Sequence, residues 1–169
     1  GQITNEDRYM SNKSPNPDFF YGVSLKLSYK NWDFGFNGHG TVGNYMFNDV
    51  LRSGATAYYR DVIDKGYFVN TQVAGAKYGF KDASTTAQCL SDMFLEDASF
   101  FRMDDINLGY TFRKVGQGNT QIRVAAGVQN VFVLTKYSGL DPESSVAGGI
   151  DGNIYPRPRI YSVRLGINF

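Results

Sequence analysis

Cysteine is almost missing from this chain: Cys89 stands alone among 169 residues, which excludes an internal disulfide and any multi-cysteine metal site. Histidine is equally scarce. With His39 as the single copy there is no histidine-pair metal site, and a catalytic dyad would have to use that residue. An excess of one charge is lacking as well. Seventeen basic and 16 acidic side chains leave a formal net charge of +1, with no basic stripe to track the phosphates of a nucleic acid. No run of 18 apolar residues occurs, so a transmembrane helix is excluded. A membrane-spanning barrel strand is not, because it needs only about 9–11 residues and alternates apolar with polar. The chain opens at Gly1 without an initiator Met or a signal peptide, as a processed or truncated piece of an exported protein would.

What is abundant favours strands and tight turns: 12 Tyr, 13 Phe and 19 Gly against 20% charged residues. The last residues are the most legible. Tyr161, Val163, Leu165, Ile167 and Phe169 fall on one face of a strand, and Ser162, Arg164, Gly166 and Asn168 on the other. Ile122, Val124, Ala126 and Val128 repeat the scheme against Arg123, Ala125, Gly127 and Gln129, and Ile106, Leu108, Tyr110 and Phe112 repeat it against Asn107, Gly109 and Thr111. Phe101 and Met103 are out of phase with that pattern. The slip falls at Asp104-Asp105 and predicts a bulge or the point where the strand leaves a membrane. Two further strands lie upstream, giving five: near 19–29, 32–43, 100–114, 120–133 and 157–169.

The connections alternate strictly between short and long. Lys30-Asn31 and 114–119 are tight, whereas 44–99 and 134–156 are long. Short periplasmic turns and long extracellular loops are the topology of an outer-membrane barrel. The small polar face then suits a wet lumen and the aliphatic and aromatic face suits lipid. Tyr21, Tyr29, Trp32, Tyr110 and Phe112, near strand ends, suit interfacial girdles. A half-buried antiparallel sheet in a soluble protein would show the same alternation. Five strands do not close a barrel, and an open edge in hydrocarbon leaves backbone groups unsatisfied, so remaining strands are expected upstream. Within the long link, 46–63 is expected to form one or two short helices broken near Gly54, and 67–80 an extended excursion.

Several motifs carry a family resemblance. Phe169, closing an alternating strand, resembles the C-terminal signal read by the barrel-assembly machinery. Val128-Gln129-Asn130-Val131-Phe132 is similar to the Asn-Leu-Phe element of the penultimate strand of TonB-dependent receptors, with Val131 in place of Leu. The stretch from Thr135 to Pro142 (TKYSGLDP), followed by Gly149-Ile150-Asp151 and Tyr155-Pro156-Arg157-Pro158-Arg159, resembles the last loop of SusC/RagA-like transporters. Asn16 to Gly22 and Ala98 to Tyr110 resemble that family's strand entries. The resemblance implies an all-β fold, the last five antiparallel strands of a transmembrane β-barrel of about 22 strands with a plugged lumen. It implies import of glycan fragments or peptides across the bacterial outer membrane, energised through the TonB complex by way of an upstream plug, with a SusD-like surface lipoprotein as partner. Outer-membrane lipid would surround it, and Tyr161, Val163, Leu165 and Ile167 would face that lipid. A siderophore or vitamin receptor of the same fold, and a soluble or surface β module that binds glycans, are the alternatives.

Residues that invite a chemical reading are few. Gly38-His39-Gly40-Thr41-Val42-Gly43 matches G-x-G-x-x-G, but the strand before it alternates and lacks the continuous apolar run of a buried parallel strand. Asp104 and Asp105 are adjacent, which on a regular strand sends them to opposite faces. Asp141, Glu143 and Asp151 sit in a Gly-rich loop without EF-hand spacing. Tyr58, Tyr59, Tyr137, Tyr155 and Arg157 are candidate ligand or partner contacts, because exposed loop aromatics stack on sugar rings or pack against a protein partner. Nothing converges on a nucleophile, a base or a metal. No enzyme, cofactor, metal or nucleic-acid partner is expected.

Overall fold

The computed structural model describes residues 6, 8–55, 91–116, 119–143 and 148–169. In chain order the elements are β1 (Phe19–Tyr29), β2 (Trp32–Val42), β3 (Tyr45–Phe47), α1 (Asp49–Ala55), β4 (Leu95–Asp97), β5 (Phe100–Phe112), β6 (Gln121–Thr135) and β7 (Ile160–Asn168). They belong to two compact units: a sheet unit of residues 18–42, 99–135 and 157–169, and a loop unit of residues 1–17, 43–98 and 136–156.

The sheet unit is one five-stranded antiparallel sheet in the order β1-β2-β5-β6-β7. Pairing joins strands consecutive within the unit, with short turns at β1–β2 and β5–β6 and long connections at β2–β5 and β6–β7. Tyr29 pairs with Trp32 across a turn in which Lys30 takes a φ of 55°. The β5–β6 turn uses Lys114 and Gly116 at φ 58° and 75° and is closed by Val115 N–H donating to Thr120 O at 2.9 Å. Register puts Val23, Leu25, Phe36, Ile106, Val128 and Tyr161 on one face and Ser24, Asn37, Asp105, Gln129 and Ser162 on the other. That apolar face is left open, with Tyr161, Val163 and Leu165 at 72%, 79% and 67% exposure.

The slip in hydrophobic phase is a bulge. Between β2 and β5 the register jumps from Asn37↔Asp105 to Gly38↔Met103, which makes Asp104 an extra residue. Between β5 and β6 it jumps from Met103↔Phe132 to Asp105↔Gln129, where Asn130 takes a φ of 51°. The bulge keeps Phe101 and Met103 on the apolar face opposite Gly40 and Gly38, although their parity differs from that of Ile106. It also corrects the expectation that Asp104 and Asp105 point apart: both line one hollow on the polar face. The G-x-G-x-x-G match lies largely inside β2 and makes no nucleotide-binding turn. A side chain at Gly38 or Gly40 would meet the rings of Phe101 and Tyr21, which lie over those glycines.

β7 starts at Ile160, past the expected 157, since Pro156 and Pro158 lack the N–H a ladder requires. The loop unit holds features that periodicity did not disclose. β3 and β4 pair antiparallel, Tyr45↔Asp97 to Phe47↔Leu95, and Phe47 makes a parallel bridge to Ile150. Met46, Ala98 and Tyr137 form one buried cluster, and Phe94 packs with Phe47, Leu51 and Met93 in another. Of the helix expected over 46–63, α1 spans Asp49–Ala55; it is capped by Asn48, whose Oδ1 accepts from Leu51 N–H at 2.8 Å. Met46 and Phe47 belong to β3 instead of a helix, and residues 56–63 and the excursion expected at 67–80 lie outside the described residues.

Candidate functional site

The polar face of the sheet carries a connected set of charged and amide side chains. Ser24 Oγ donates to Asn37 Oδ1 at 2.7 Å, and Asn37 Nδ2 donates to Asp105 Oδ2 at 2.6 Å; Asn107 Nδ2 donates to the other Asp105 oxygen. Asp33 on β2 and Arg123 on β6 form a two-contact ion pair, with Nε to Oδ1 at 3.1 Å, that passes over β5 at Gly109. A side chain there would collide with both partners. At the bulge, His39 Nδ1 lies 2.6 Å from Asp104 Oδ2, and the His39 ring meets Phe100 edge-on at 5.6 Å.

Asn130 is the junction of this network. Its left-handed backbone re-aims the side chain, so that Oδ1 accepts from Arg102 Nη1 at 2.6 Å and Nδ2 donates to the Arg157 carbonyl at 2.6 Å. Asparagine tolerates that backbone conformation better than most residues. Arg102 is only 2% exposed. Beside these residues lies a hollow of about 620 Å³, with Arg102, Arg123, Arg157 and Arg164 set against Asp104 and Asp105 and the amides of Asn107, Gln129 and Asn130. Its arginines and amides offer binding by charge and hydrogen bond, and no nucleophile–base pair stands in it. No group of three or more metal-ligating side chains occurs among the described residues.

The loop unit resolves the tyrosine candidates differently. Tyr137 is 5% exposed, and its hydroxyl donates to the buried Asp151 Oδ2 at 2.6 Å. Burial, that hydrogen bond and the charges of Asp151 and Glu96 push its pKa far above the ordinary value. Its ring packs into the loop's own core with Met46 and Ala98. Gly139 lets the ring lie down: a Cβ there would sit 2.3 Å from it. Glu96 clamps the same turn, accepting from Ser138 N–H at 2.8 Å, from Ser138 Oγ at 2.7 Å and from Asn48 Nδ2 at 2.9 Å. Asp141 and Asp151 accept from the N–H groups two residues on, Glu143 and Asn153, both at 2.9 Å. Tyr155 is 88% exposed, Arg157 lines the hollow of the sheet unit, and Tyr58 and Tyr59 lie outside the described residues. Phe169 is fully exposed just past β7.

No family model matches the chain. Individual relatives do. It is 36% identical over 173 residues to the TonB-dependent receptor SusC of Bacteroides thetaiotaomicron, a match spanning 100% of this chain and 17% of SusC. The chain is homologous to the SusC/RagA family of TonB-dependent outer-membrane transporters. TonB-dependent receptor P3 of Formosa agariphila is 26% identical over 185 residues, covering 100% of this chain and 18% of that receptor. In fold, the structure of the RagAB peptide transporter matches 98% of this chain and 19% of its own, with a TM-score of 0.72 at 23% identity. Its open-open state gives 0.69 over 98% of this chain and 18% of that one, also at 23% identity. The chain thus spans about a sixth to a fifth of the proteins it matches. This homology assigns it to the bacterial outer membrane.

Against that family background the structure gives the motifs physical reasons. The element around Asn130 holds the bulge, and the loop from Tyr137 to Asp151 holds a tyrosine–carboxylate core. Sequence reasoning placed Arg123 and Arg164 on the polar face but did not single them out, nor Arg102, Asp33 or Asn130. The available signal was the recurrence of arginine at polar-face positions, a pattern that becomes a site only when β2, β5, β6 and β7 lie side by side.

Proposed function

We propose that this chain is part of the wall and loops of a TonB-dependent importer that carries glycan fragments or peptides across the outer membrane. The sheet unit supplies barrel strands, with Tyr161, Val163, Leu165 and Ile167 against lipid and the Arg- and Asp-bearing face against the lumen. The observation that carries this reading is the division of the sheet's faces. Aromatic contacts recur toward both ends of the apolar face: Trp32–Tyr110 and Tyr110–Phe112 at 4.7 Å near the turns, Tyr21–Phe101 at 6.1 Å and Phe101–Phe132 at 6.3 Å toward the other end. Between Tyr21 and Tyr29 runs about 27 Å of strand at roughly 3.4 Å per residue. Tilted by roughly 35–45° as barrel strands are, this rises about 19–22 Å, which fits inside an apolar band about 25 Å tall bounded by aromatic girdles.

Further strands and a plug from the rest of the polypeptide complete the barrel. TonB engages through that remainder, and a SusD-like surface lipoprotein is the partner at the extracellular loops, to which 44–99 and 134–156 contribute. Phe169 serves as the assembly signal. The chemistry is binding and conformational gating without a covalent step.

The test is to extract the native full-length protein in detergent, identify everything that co-purifies, and measure uptake of labelled oligosaccharides and peptides by cells with and without it. A membrane-extracted receptor bringing a surface lipoprotein, together with TonB-dependent uptake lost on deletion, supports the reading. A detergent-independent monomer with no uptake defect overturns it.

A further inference from the structure

Resting on the importer reading above, we infer that the tight-turn end of the sheet unit holds the headgroup phosphate of an anionic phospholipid of the inner leaflet, through Lys30, Arg113 and Lys114, with Trp32 and Phe112 against its acyl chains. Two turns far apart in sequence meet there. Lys30 and Asn31 turn β1 into β2, and Lys114 stands in the turn from β5 to β6. Because β2 pairs with β5, the turns lie side by side and are stitched together. Thr111 N–H donates to Asn31 O at 2.9 Å, Arg113 Nη2 donates to Lys30 O at 3.4 Å, and Asn31 Nδ2 donates to the Tyr110 hydroxyl at 3.5 Å. β2 and β5 are interior strands with β1 and β6 paired on their outer sides, so this seam already has the sheet neighbours it has in a closed barrel.

Charge at this end is of one sign. Of the acidic side chains in the sheet unit, Asp18 precedes β1, Asp104 and Asp105 sit at the bulge, and Asp33 is paired with Arg123 on the polar face. On the apolar face the row Tyr29, Trp32 and Tyr110 comes directly before the turns. Trp32 meets Tyr110 edge-on at 4.7 Å, Tyr110 meets Phe112 at 4.7 Å, and Lys30 Nζ lies 5.2 Å over the Tyr29 ring. The Lys30 ammonium is thus bent back from the turn over the aromatic face. Cations set just beyond amphipathic rings match a phosphodiester whose acyl chains run along the apolar strands. Arg113 gives one N–H to Lys30 O and keeps the other donors of its fork for phosphate oxygens. Short turns face the periplasm in barrel topology, which is the phospholipid side of the outer membrane. Free phosphate has no acyl chain to lay against Trp32 and Phe112, so the lipid is the occupant.

The experiment uses the full-length receptor in detergent and in nanodiscs of phosphatidylglycerol or phosphatidylcholine. Acetylation of Lys30 and Lys114 is mapped by mass spectrometry, and retained lipid is read by native mass spectrometry. Both lysines should react in detergent, with or without inorganic phosphate, and phosphatidylglycerol should protect them severalfold better than phosphatidylcholine. The triple variant Lys30→Gln, Arg113→Gln, Lys114→Gln should lose its preference for phosphatidylglycerol, by up to about fivefold for each residue. Lys26→Gln, on the polar face, should keep it. Lysines already protected in detergent mean that another part of the polypeptide covers the turns, and this overturns the inference. Equal protection by the two lipids, protection by inorganic phosphate alone, or an undiminished preference in the triple variant overturns it as well. Each of these outcomes leaves TonB-dependent uptake intact, so failure of the lipid site is distinguishable from failure of the importer reading.

Discussion

Asn130 Oδ1 lies 2.6 Å from Arg102 Nη1, and the same amide donates to the Arg157 carbonyl at 2.6 Å. One side chain thus joins β5, β6 and the segment entering β7. Asn130→Ala should destabilise the full-length receptor by about 2–4 kcal/mol, combining the loss of a charge-assisted hydrogen bond to the buried Arg102 with a positive-φ alanine. Asn130→Gly keeps the backbone and should recover only the smaller, conformational part. Thermal unfolding in detergent ranks the variants; equal stability of Asn130→Ala and wild type would remove the junction role.

Gly139 offers a test confined to the loop unit. A methyl at this position meets the Tyr137 ring at 2.3 Å, so Gly139→Ala should push the ring off Asp151 and loosen residues 136–151. Limited proteolysis should cut this loop faster in the variant, with the melting of the barrel unchanged.

The Tyr137 hydroxyl predicts a pH response. Its folded pKa is raised, so the unfolded loop, titrating near the ordinary value of about 10, releases its proton first. The stabilisation is complete below about pH 10 and is lost as pH rises through the folded pKa. Protease resistance of the loop should therefore hold through neutral pH and fall on the alkaline side. Tyr137→Phe should cost roughly 1.5–3 kcal/mol at neutral pH, because Oδ2 of the buried Asp151 loses the hydroxyl donor while Oδ1 keeps Asn153 N–H. It should also flatten the alkaline fall.

The Asp33–Arg123 pair should contribute little despite its geometry, because its side chains are 31% and 45% exposed. A double-mutant cycle with Asp33→Asn and Arg123→Gln is expected to give a coupling of about 1 kcal/mol or less, weakened by salt. Gly109→Ala should break the same pair sterically, and a coupling energy near zero in that background is the check.

On the proposed lipid face, Val163→Arg should cost about 2–4 kcal/mol if the residue sits near the bilayer midplane, and Ser162→Arg, one step along β7 on the polar face, far less. Phe169→Ser should lower the amount of receptor assembled in the outer membrane. Heat-modifiability on gels and membrane fractionation read both effects.

Much of the sheet was legible from a local rule. Period-two alternation names a strand and its two faces wherever one face is apolar over five or more residues, and β1, β2, β5, β6 and β7 all satisfy it. Even the bulge left a trace, since an extra residue at Asp104 inverts the phase of Phe101 and Met103. The β3–β4 ribbon left none: each strand is three residues long, too short for a period, and the partners are far apart in sequence. The burial of Tyr137 was illegible for a related reason. Its residue type suits a surface contact, and only Met46, Ala98 and Asp151, brought in from distant segments, bury it.

The chain's order of residues by itself determined the five long strands, the division into a polar and an apolar face and the alternation of short and long connections, because these depend on side-chain direction and turn chemistry between near neighbours. The tertiary structure alone decided which charges are satisfied and which tyrosine is hidden. Arg102 finds Asn130 and Arg123 finds Asp33 only once the strands are set side by side, and the strength of a charged contact depends on distance and burial that no local pattern encodes.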